Sequence, residues 1–416
     1  MVDNIPCSKS YAQRYILGAL FSKSIVDLYG IEEDNLSSDV KAALSLLDYL
    51  KVPYGFSWWD KHLLIDASGF DDSILNTGFE FNCGESGTLL RMLVPILANY
   101  EGTFVLNGIG TLPNRKIDSI QPVFDQIGVQ FGTNKSKLPI IVCGKNRKYV
   151  EEMTLDGSET SQYISGLIMA ACIENKYKVF HIENCKSLNY MLMTIDALHQ
   201  LGYDIFWMDD NKVIVTPVQE RPQNFSITVE KDWSSAAAYI VSKAVLRDEE
   251  FSIPGLRMNS IQSDKAILDL VGKWYNILDF DDYITFKKNK TIEPFEFDCT
   301  SCPDLFPVVC ALGASILIGP SKITGLSRLV NKESDRGKVI FEEFHKYRIK
   351  EEIDGDSILI KGSYSVEDGE FNSHNDHRIS MALIILRLFY SLPIPKEDEC
   401  LMKSYPKFIK DVTNGE

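Results

Sequence analysis

The chain has 416 residues, 45% of them hydrophobic and 24% charged, and a formal net charge of −15. A chain of this length is too long to fold around one ordinary hydrophobic core, which favours two domains. The acidic balance argues against a nucleic-acid-binding surface, so an anionic ligand would need a local group of Lys and Arg side chains. Nine scattered cysteines favour a reducing cytoplasm over a disulfide framework. We expect no secretory signal in the first residues, MVDN, and no metal site at the single C-x-x-C pair, Cys299 and Cys302.

Six segments that begin with polar residues and continue as apolar runs recur in chain order. They are SKSYAQRYILGALF, GESGTLLRMLVPILA, SETSQYISGLIMAACI, DWSSAAAYIVSKAVL, PDLFPVVCALGASI and NDHRISMALIILRLF. Their markers Ser10, Ser86, Ser161, Ser234, Asp304 and Asp376 are 76, 75, 73, 70 and 72 residues apart. Runs that are apolar nearly all round predict buried helices, and the polar residues predict N-terminal caps. The spacing is too long for a solenoid and indicates three small α/β units in each of two domains.

The stretches between these runs predict strands and outer helices. β-Branched residues indicate strands at 104–106, 212–215 and 357–360, and the 39–50 segment predicts an amphipathic helix outside the core. The fold class is therefore mixed α/β with buried parallel helices whose N-termini converge. Such N-termini favour anions, although any single polar residue could be only a cap. Lys9, Arg14, Arg91 and Arg378 lie within one or two turns of an entrance, and Lys332, Arg336 and Lys403 add further cations in short polar motifs.

Nine ordered motifs resemble those of the EPSP synthase (3-phosphoshikimate 1-carboxyvinyltransferase) family over essentially the whole chain. They are Ser8-Lys9-Ser10 with Arg14, Glu85-Ser86-Gly87-Thr88 with Arg91, Asn114-Arg115, Asp156–Gln162, Ser187–Tyr190, Pro303-Asp304, Lys332–Arg336, Asn375–Arg378 and Lys403–Pro406. The sequence departs from the family pattern at Cys7, Lys116, Thr160 and Asn189. None of these departures removes a charged ligand-binding or acid–base group.

The resemblance implies the two-domain enolpyruvyl transferase fold, an inverse α/β barrel-like arrangement with three β-α-β-α-β-β units per domain. One domain would comprise residues 1–8 and 230–416, and the other residues 9–229, with the active site in a cleft that closes on ligands. It also implies transfer of the enolpyruvyl group of phosphoenolpyruvate to the 5-hydroxyl of shikimate 3-phosphate, a step of aromatic amino-acid biosynthesis. We expect a monomer without organic cofactor or metal, and without a nucleic-acid or membrane partner.

Residue by residue, the resemblance implies three sets of site residues. Asp304 would accept the hydroxyl proton, Glu333 would protonate the methylene carbon, and Lys332 would stabilise developing charge. Lys9, placed between the two anionic substrates, completes the catalytic set. The phosphoenolpyruvate set is Lys9, Gly87, Arg115, Gln162, Arg336, Arg378 and Lys403. The shikimate 3-phosphate set is Lys9, Ser10, Arg14, Thr160, Ser161, Gln162, Ser187, Tyr190, Asp304 and Lys332.

Other interpretations are compatible with parts of this pattern. Asp304 could be only a helix cap, Glu333 and Arg336 a surface ion pair, and Tyr190 or His377 packing residues. A related transferase acting on UDP-N-acetylglucosamine is disfavoured, because Ser10 follows Lys9 and no Cys lies near Arg115. A paralogue acting on another cyclic hydroxy acid and a non-catalytic ligand-binding homologue remain alternatives.

Overall fold

The computed structural model describes residues 4–57, 59–208, 211–330 and 332–413. The chain forms two compact units: Cys7–Val229, called here the inserted unit, and Met1–Pro6 with Glu230–Glu416, called the terminal unit. Cys7 and Ser8 therefore belong to the inserted unit, two residues earlier than the expected boundary. The reason is local, because the Ser8 carbonyl already accepts a helical hydrogen bond from the Ala12 amide at 2.8 Å.

The inserted unit alternates helices and strands along the chain. Its helices are α1 (Lys9–Ser22), α2 (Ser38–Tyr49), α3 (Gly87–Leu97), α4 (Gln121–Ile127), α5 (Gln162–Glu174) and α6 (Leu188–Gln200). Its strands are β1 (Ile25–Tyr29), β2 (Tyr54–Ser57), β3 (His62–Asp66), β4 (Phe79–Asn82), β5 (Thr103–Asn107), β6 (Gln130–Asn134), β7 (Lys137–Cys143), β8 (Glu152–Asp156), β9 (Lys178–Glu183), β10 (Asp204–Met208), β11 (Lys212–Thr216) and β12 (Asn224–Thr228).

These strands form three four-stranded sheets with one repeated plan. Their orders are β12-β1-β3-β2, β4-β5-β7-β6 and β10-β11-β9-β8, and each contains one parallel pair. Strand β1 pairs in parallel with β12 in the register Ile25↔Asn224, so the start and end of the inserted unit lie in one sheet. Alternating burial along β8 shows one buried and one exposed face, which places the sheets outside the helices.

The terminal unit has the same kinds of element with fewer strands. Its helices are α7 (Trp233–Val245), α8 (Ile267–Val271), α9 (Phe306–Ala314), α10 (Arg336–Lys346), α11 (His377–Phe389) and α12 (Phe408–Val412). Its strands are β13 (Glu250–Pro254), β14 (Tyr275–Asp279), β15 (Tyr283–Lys288), β16 (Glu296–Asp298), β17 (Ser321–Thr324), β18 (Lys350–Asp354) and β19 (Ser357–Lys361). They form the sheets β13-β15-β14 and β16-β17-β19-β18.

Within the described residues, two sheets are assigned in the terminal unit and three in the inserted unit. Within the described residues 362–413, helix α11 is present but the assigned structure contains no strand. The segment 362–376 is rich in Gly, Ser and acidic residues, and Pro393 and Pro395 follow α11. These residue types disfavour strands, because proline cannot donate a ladder hydrogen bond and acidic residues pack poorly on a pleated surface.

The six predicted buried helices are confirmed as α1, α3, α5, α7, α9 and α11. Every residue of α7 and α9 is buried. The caps differ from expectation: Asp232 rather than Ser234 caps α7, and Ser10 lies inside the first turn of α1. The predicted strands lie within β5, β11 and β19, and the 39–50 segment corresponds to α2. In the part of the chain that is described, no helix has the length and apolar character needed to cross a membrane.

Candidate active site

In the inserted unit, the entrances of α1 and α3 lie side by side. Gln13 Nε2 donates to the Ser86 hydroxyl at 2.6 Å and to the Asp39 carbonyl at 2.9 Å. Ser86 in turn caps α3 by accepting from the Leu89 amide at 3.2 Å. Lys9 Nζ lies 3.0 Å from an Asp39 carboxylate oxygen, so the lysine is held at the mouth of α1. Asp39 was not predicted, because an acid in the first turn of α2 looks like an ordinary favourable helix-end charge.

The entrances of α3 and α5 are joined by a second set of side chains. Arg91 Nη1 donates to Gln162 Oε1 at 2.9 Å, and Gln162 Nε2 donates to the Thr88 hydroxyl at 2.8 Å. The Thr160 hydroxyl accepts from the Gln162 amide at 3.1 Å. Arg91 also donates to the Lys116 carbonyl at 3.1 Å. Arg91, which the motif contained without an assigned role, therefore positions both Gln162 and the loop that carries Arg115.

Gly87 provides space beside two guanidinium groups. A Cβ atom at this position would lie 2.8 Å from Arg91 Nη1 and 3.2 Å from Arg115 Nη1. Both distances are shorter than ordinary contacts, so any side chain at residue 87 would displace a cation. The Arg115 guanidinium is also oriented by a hydrogen bond from Nη2 to the Thr111 hydroxyl at 2.9 Å.

Arg14 is a buried link between α1 and α6. Its guanidinium donates to the Thr194 hydroxyl at 2.8 Å, the Ser10 carbonyl at 2.7 Å and the Tyr190 carbonyl at 2.8 Å. Burial lowers the pKa of Arg14 to about 10, which still leaves it charged at neutral pH. Arg14 thus positions Ser10 and Tyr190, and its own contact with a ligand stays a prediction.

Two predicted hydroxyl groups stand at the starts of α5 and α6. Ser161 precedes α5 and Ser187 precedes α6, and neither side chain caps its helix. The predicted residues of the inserted unit lie in the first two turns of α1, α3, α5 and α6 or just before these helices, and Arg115 lies near Gly87; they are Lys9, Ser10, Arg14, Gly87, Arg115, Thr160, Ser161, Gln162, Ser187 and Tyr190.

In the terminal unit, one buried guanidinium joins three carboxylates. Arg336 donates from Nη1 to Asp304 at 2.7 Å, from Nη2 to Glu333 at 2.7 Å and from Nε to Asp376 at 2.8 Å. Only 1% of the Arg336 side chain is exposed, so its pair with Glu333 is not a solvated surface pair. A ligand carboxylate could be held on two N–H groups of Arg336 only after one of these acids gave way.

The Asp304 carboxylate has several cationic neighbours. Lys332 Nζ lies 3.2 Å from the same Asp304 oxygen that accepts from Arg336. Burial by itself would raise the pKa of Asp304, but Lys332, Arg336 and Arg378 together hold it well below its ordinary value. Asp304 is therefore an anion at neutral pH, and it would become a stronger base if an anionic ligand drew the cations away.

Arg378 and Lys403 complete the cationic set of the terminal unit. Arg378 is the second residue of α11 and is 3% exposed, and within the described residues its Nε has no hydrogen-bond partner. Lys403 Nζ donates to the Asn375 carbonyl at 2.7 Å. Asp376, 0% exposed, caps α11 through the Arg378 amide at 2.9 Å and binds Arg336. A buried cation with an unpaired N–H is suited to an anionic ligand.

Asp264 is a further acid that sequence reasoning missed. It lies in the 3-10 turn Ser263–Ala266, is 3% exposed, and interacts electrostatically with Asp304 and Arg378. No local signal could have identified it, because its neighbours come from distant parts of the chain.

The described residues also contain no group of three His, Cys, Asp or Glu side chains placed to hold a metal.

The sequence is similar to known proteins over nearly its whole length. The sequence matches the model of the EPSP synthase (3-phosphoshikimate 1-carboxyvinyltransferase) family over residues 2–412. It is 32% identical to 3-phosphoshikimate 1-carboxyvinyltransferase of Clostridium novyi over 98% of this chain and 93% of that protein. The enzyme of the same name from Clostridioides difficile is 30% identical, with the same shares covered.

Solved structures show the same fold at lower sequence identity. EPSP synthase from Acinetobacter baumannii superposes with a TM-score of 0.77 at 21% identity, covering 99% of this chain and 94% of that one. The enolpyruvyl transferase NikO from Streptomyces tendae gives 0.71 at 15% identity, with 99% and 93% covered. From the sequence match across nearly its whole length, the chain belongs to the EPSP synthase (3-phosphoshikimate 1-carboxyvinyltransferase) family.

Proposed function

We propose that this enzyme transfers the enolpyruvyl group of phosphoenolpyruvate to the 5-hydroxyl of shikimate 3-phosphate and releases phosphate. The observation that carries the proposal is the Asp304 carboxylate, held anionic by Lys332 and Arg336 beside Arg378, whose Nε has no partner among the described residues. A base next to a buried, incompletely paired cation suits a hydroxyl nucleophile and an anionic acceptor. The family membership supplies the two substrates.

The anionic groups of the substrates are assigned to cations at the helix entrances. Lys9, Arg115 and Lys403 would hold the phosphate of phosphoenolpyruvate, while Arg336 and Arg378 would hold its carboxylate. Gly87 and Gln162 would shape that site, because Gly87 leaves room for both guanidinium groups and Gln162 is fixed by Arg91. Shikimate 3-phosphate would contact Lys9, Ser10, Arg14, Thr160, Ser161, Gln162, Ser187, Tyr190, Asp304 and Lys332.

Two carboxyl groups divide the proton transfers in this proposal. The 5-hydroxyl oxygen of shikimate 3-phosphate bonds to the central carbon of phosphoenolpyruvate while Asp304 accepts the hydroxyl proton. Glu333 protonates the methylene carbon. The substrate carboxylate would compete with Glu333 for Arg336, and a Glu333 released from that pair can carry the proton. Loss of a methyl proton and departure of phosphate then restore the double bond. Lys332 and Lys9 stabilise charge on the reacting groups.

The remaining expectations concern the state of the protein in the cell. We propose a cytoplasmic monomer that requires no partner, and the nine cysteines, all free thiols, support a reducing compartment.

The decisive experiment measures phosphate release from phosphoenolpyruvate with different acceptors. Release with shikimate 3-phosphate, together with formation of the enolpyruvyl ether, is expected. No release with this acceptor would overturn the proposal. Release with UDP-N-acetylglucosamine or with another cyclic hydroxy acid alone would favour a relative with a different acceptor, and binding without turnover would favour a non-catalytic homologue.

A further inference from the structure

Asp264 is a buried carboxyl group that the proposed mechanism does not use. The residue is 3% exposed, and its Oδ1 atom has no hydrogen-bond partner among the described residues. The turn that carries it, Ser263–Ala266, packs against α7. An ionised carboxylate in such a place is costly unless a cation pairs with it, so a protonated form competes effectively.

The titratable groups that interact electrostatically with Asp264 come from the starts of α7, α9 and α11. Asp304 comes from the turn before α9, Arg378 from the first turn of α11, and Asp232 from the cap of α7. The Cys299 thiol, which precedes α9, is also close enough to interact electrostatically. Arg378 is the cation of this group, and Asp232, Asp304 and Asp264 are the acids.

Together with burial, these neighbours bring the pKa of Asp264 close to neutral pH. Burial, followed by the negative charge of Asp304, raises its pKa to about 7, while Arg378 acts in the opposite direction. The group is therefore largely neutral below this pH and largely anionic above it. In the anionic form it becomes a second acid beside Arg378.

We propose that Asp264 is a positioning residue that controls how well Arg378 binds the carboxylate of phosphoenolpyruvate. When Asp264 carries a proton, the Arg378 guanidinium is available to the substrate. When Asp264 is ionised, it attracts Arg378 and repels the substrate anion, so binding weakens. By thermodynamic reciprocity, an anion bound at Arg378 favours protonation of Asp264, and substrate binding is coupled to proton uptake. This inference rests on the proposed role of Arg378.

The test compares the pH dependence of KM for phosphoenolpyruvate in the wild type and in Asp264→Asn. In the wild type, KM should rise above pH 7, approaching about tenfold per pH unit if the ionised form excludes the substrate. Asp264→Asn has no proton to lose, so its rise should be smaller. Titration of the substrate itself affects both proteins equally. Asp264→Glu restores an ionisable carboxyl and should restore the rise, which a merely structural role would not explain.

A matched control is Asp411→Asn in the same unit. Asp411 is 5% exposed, but its carboxylate accepts from the Tyr405 hydroxyl at 2.8 Å and from Asn4 at 2.7 Å. This variant should keep the wild-type pH dependence of KM. An equal rise in Asp264→Asn and the wild type would overturn the proposal. If Asp264→Asn fails to fold, the absence of an alkaline rise in the wild type overturns it as well.

A readout without turnover separates this proposal from the proposed function. Stabilisation of the protein by phosphoenolpyruvate against thermal unfolding can be measured from pH 6 to 9 in the wild type and the variant. A ligand-induced shift that falls with pH only in the wild type supports the role of Asp264, even if no acceptor gives product. Turnover with shikimate 3-phosphate but an unchanged pH profile would overturn the Asp264 proposal alone.

Discussion

Lys9 lies at a position where an ion pair and a helix entrance coincide. Its ammonium group is 3.0 Å from an Asp39 carboxylate oxygen, and 18% of its side chain is exposed. A dissolved anion could therefore approach the lysine while the ion pair keeps the side chain in place. Arg14, one helical turn further, is buried and donates to Thr194, Ser10 and Tyr190. Lys9 therefore stays partly exposed at the helix entrance, while Arg14 links α1 to α6.

Replacing Lys9 by Met should abolish most turnover and leave the fold intact. Loss of one preorganised cation at a reacting phosphate typically lowers kcat by about 100-fold or more. The matched control is Lys23→Met. Lys23 follows the C-terminal end of α1 and forms an ion pair with Asp72 at 2.7 Å, so this variant also removes a Lys–Asp pair. Steady-state phosphate release and thermal unfolding of both variants check this. Wild-type turnover in Lys9→Met would refute its assigned role.

Burial of Glu351 should make the stability of the folded protein depend on pH, independently of the candidate active site. Neither of its carboxylate oxygens has a hydrogen-bond partner among the described residues, and burial raises its pKa to about 8. The folded protein keeps a proton here that the unfolded chain releases near its ordinary, lower pKa. Wild-type stability therefore falls as pH rises from about 5 to 8.

Glu351→Gln should accordingly be more stable than the wild type at pH 8.5, by about 1–2 kcal/mol, and nearly equal to it at pH 5. Urea unfolding at the two pH values gives the comparison. The exposed neighbour on β18, Glu352, provides the control, since Glu352→Gln should change stability little at either pH. A Glu351→Gln advantage that is the same at both pH values would contradict the titration argument.

At the scale of elements, the close packing of α1, α3 and α5 places residues from three repeats in one cluster. Gln13 connects α1 to Ser86 at the entrance of α3, and Arg91 connects α3 to Gln162 at the entrance of α5. Helices whose N-termini lie together add their free N–H groups and dipoles, which favours anions at this end. In the terminal unit, Arg336 and Asp376 connect the starts of α10 and α11 in the same way.

Gly87→Ala should weaken phosphoenolpyruvate binding more than it affects stability. The added methyl group would meet Arg91 Nη1 at 2.8 Å and Arg115 Nη1 at 3.2 Å, so at least one guanidinium must move. We expect KM for phosphoenolpyruvate to rise about 10-fold to 100-fold. Gly132→Ala is a suitable control, because its Cβ would have no neighbour within 4 Å. Equal KM values in the two variants would show that the space at Gly87 is not used by the substrate site.

At the scale of the whole molecule, the inserted unit is a self-contained piece of the chain. Its first and last strands, β1 and β12, pair in parallel over Ile25–Tyr29 and Asn224–Thr228, which closes the unit. It has its own three sheets and its own buried helices. The terminal unit, in contrast, joins Asn4 and Asp411 across the whole length of the chain through a 2.7 Å hydrogen bond.

A fragment of residues 7–229 should therefore fold cooperatively on its own, but it should not turn over substrate, because Asp304, Lys332 and Arg336 are absent from it. Far-ultraviolet circular dichroism and thermal unfolding of the purified fragment test the first part. A fragment 230–416 lacks the residues before Cys7 that the terminal unit includes and is expected to be less stable. A non-cooperative transition in the 7–229 fragment would contradict its independence.

The sequence by itself determined the six buried helices, the strands at 104–106, 212–215 and 357–360, and the family, because apolar periodicity and short ordered motifs are local in the chain. It also predicted which cations lie near helix entrances. Only the tertiary structure decided what these cations contact: Arg14 donates to two backbone carbonyls and the Thr194 hydroxyl, and Arg336 joins three acids. It also brings Asp264 close enough to Asp304 and Arg378 for electrostatic interaction. Burial and charge act through space between residues tens of positions apart, and no local pattern records those distances.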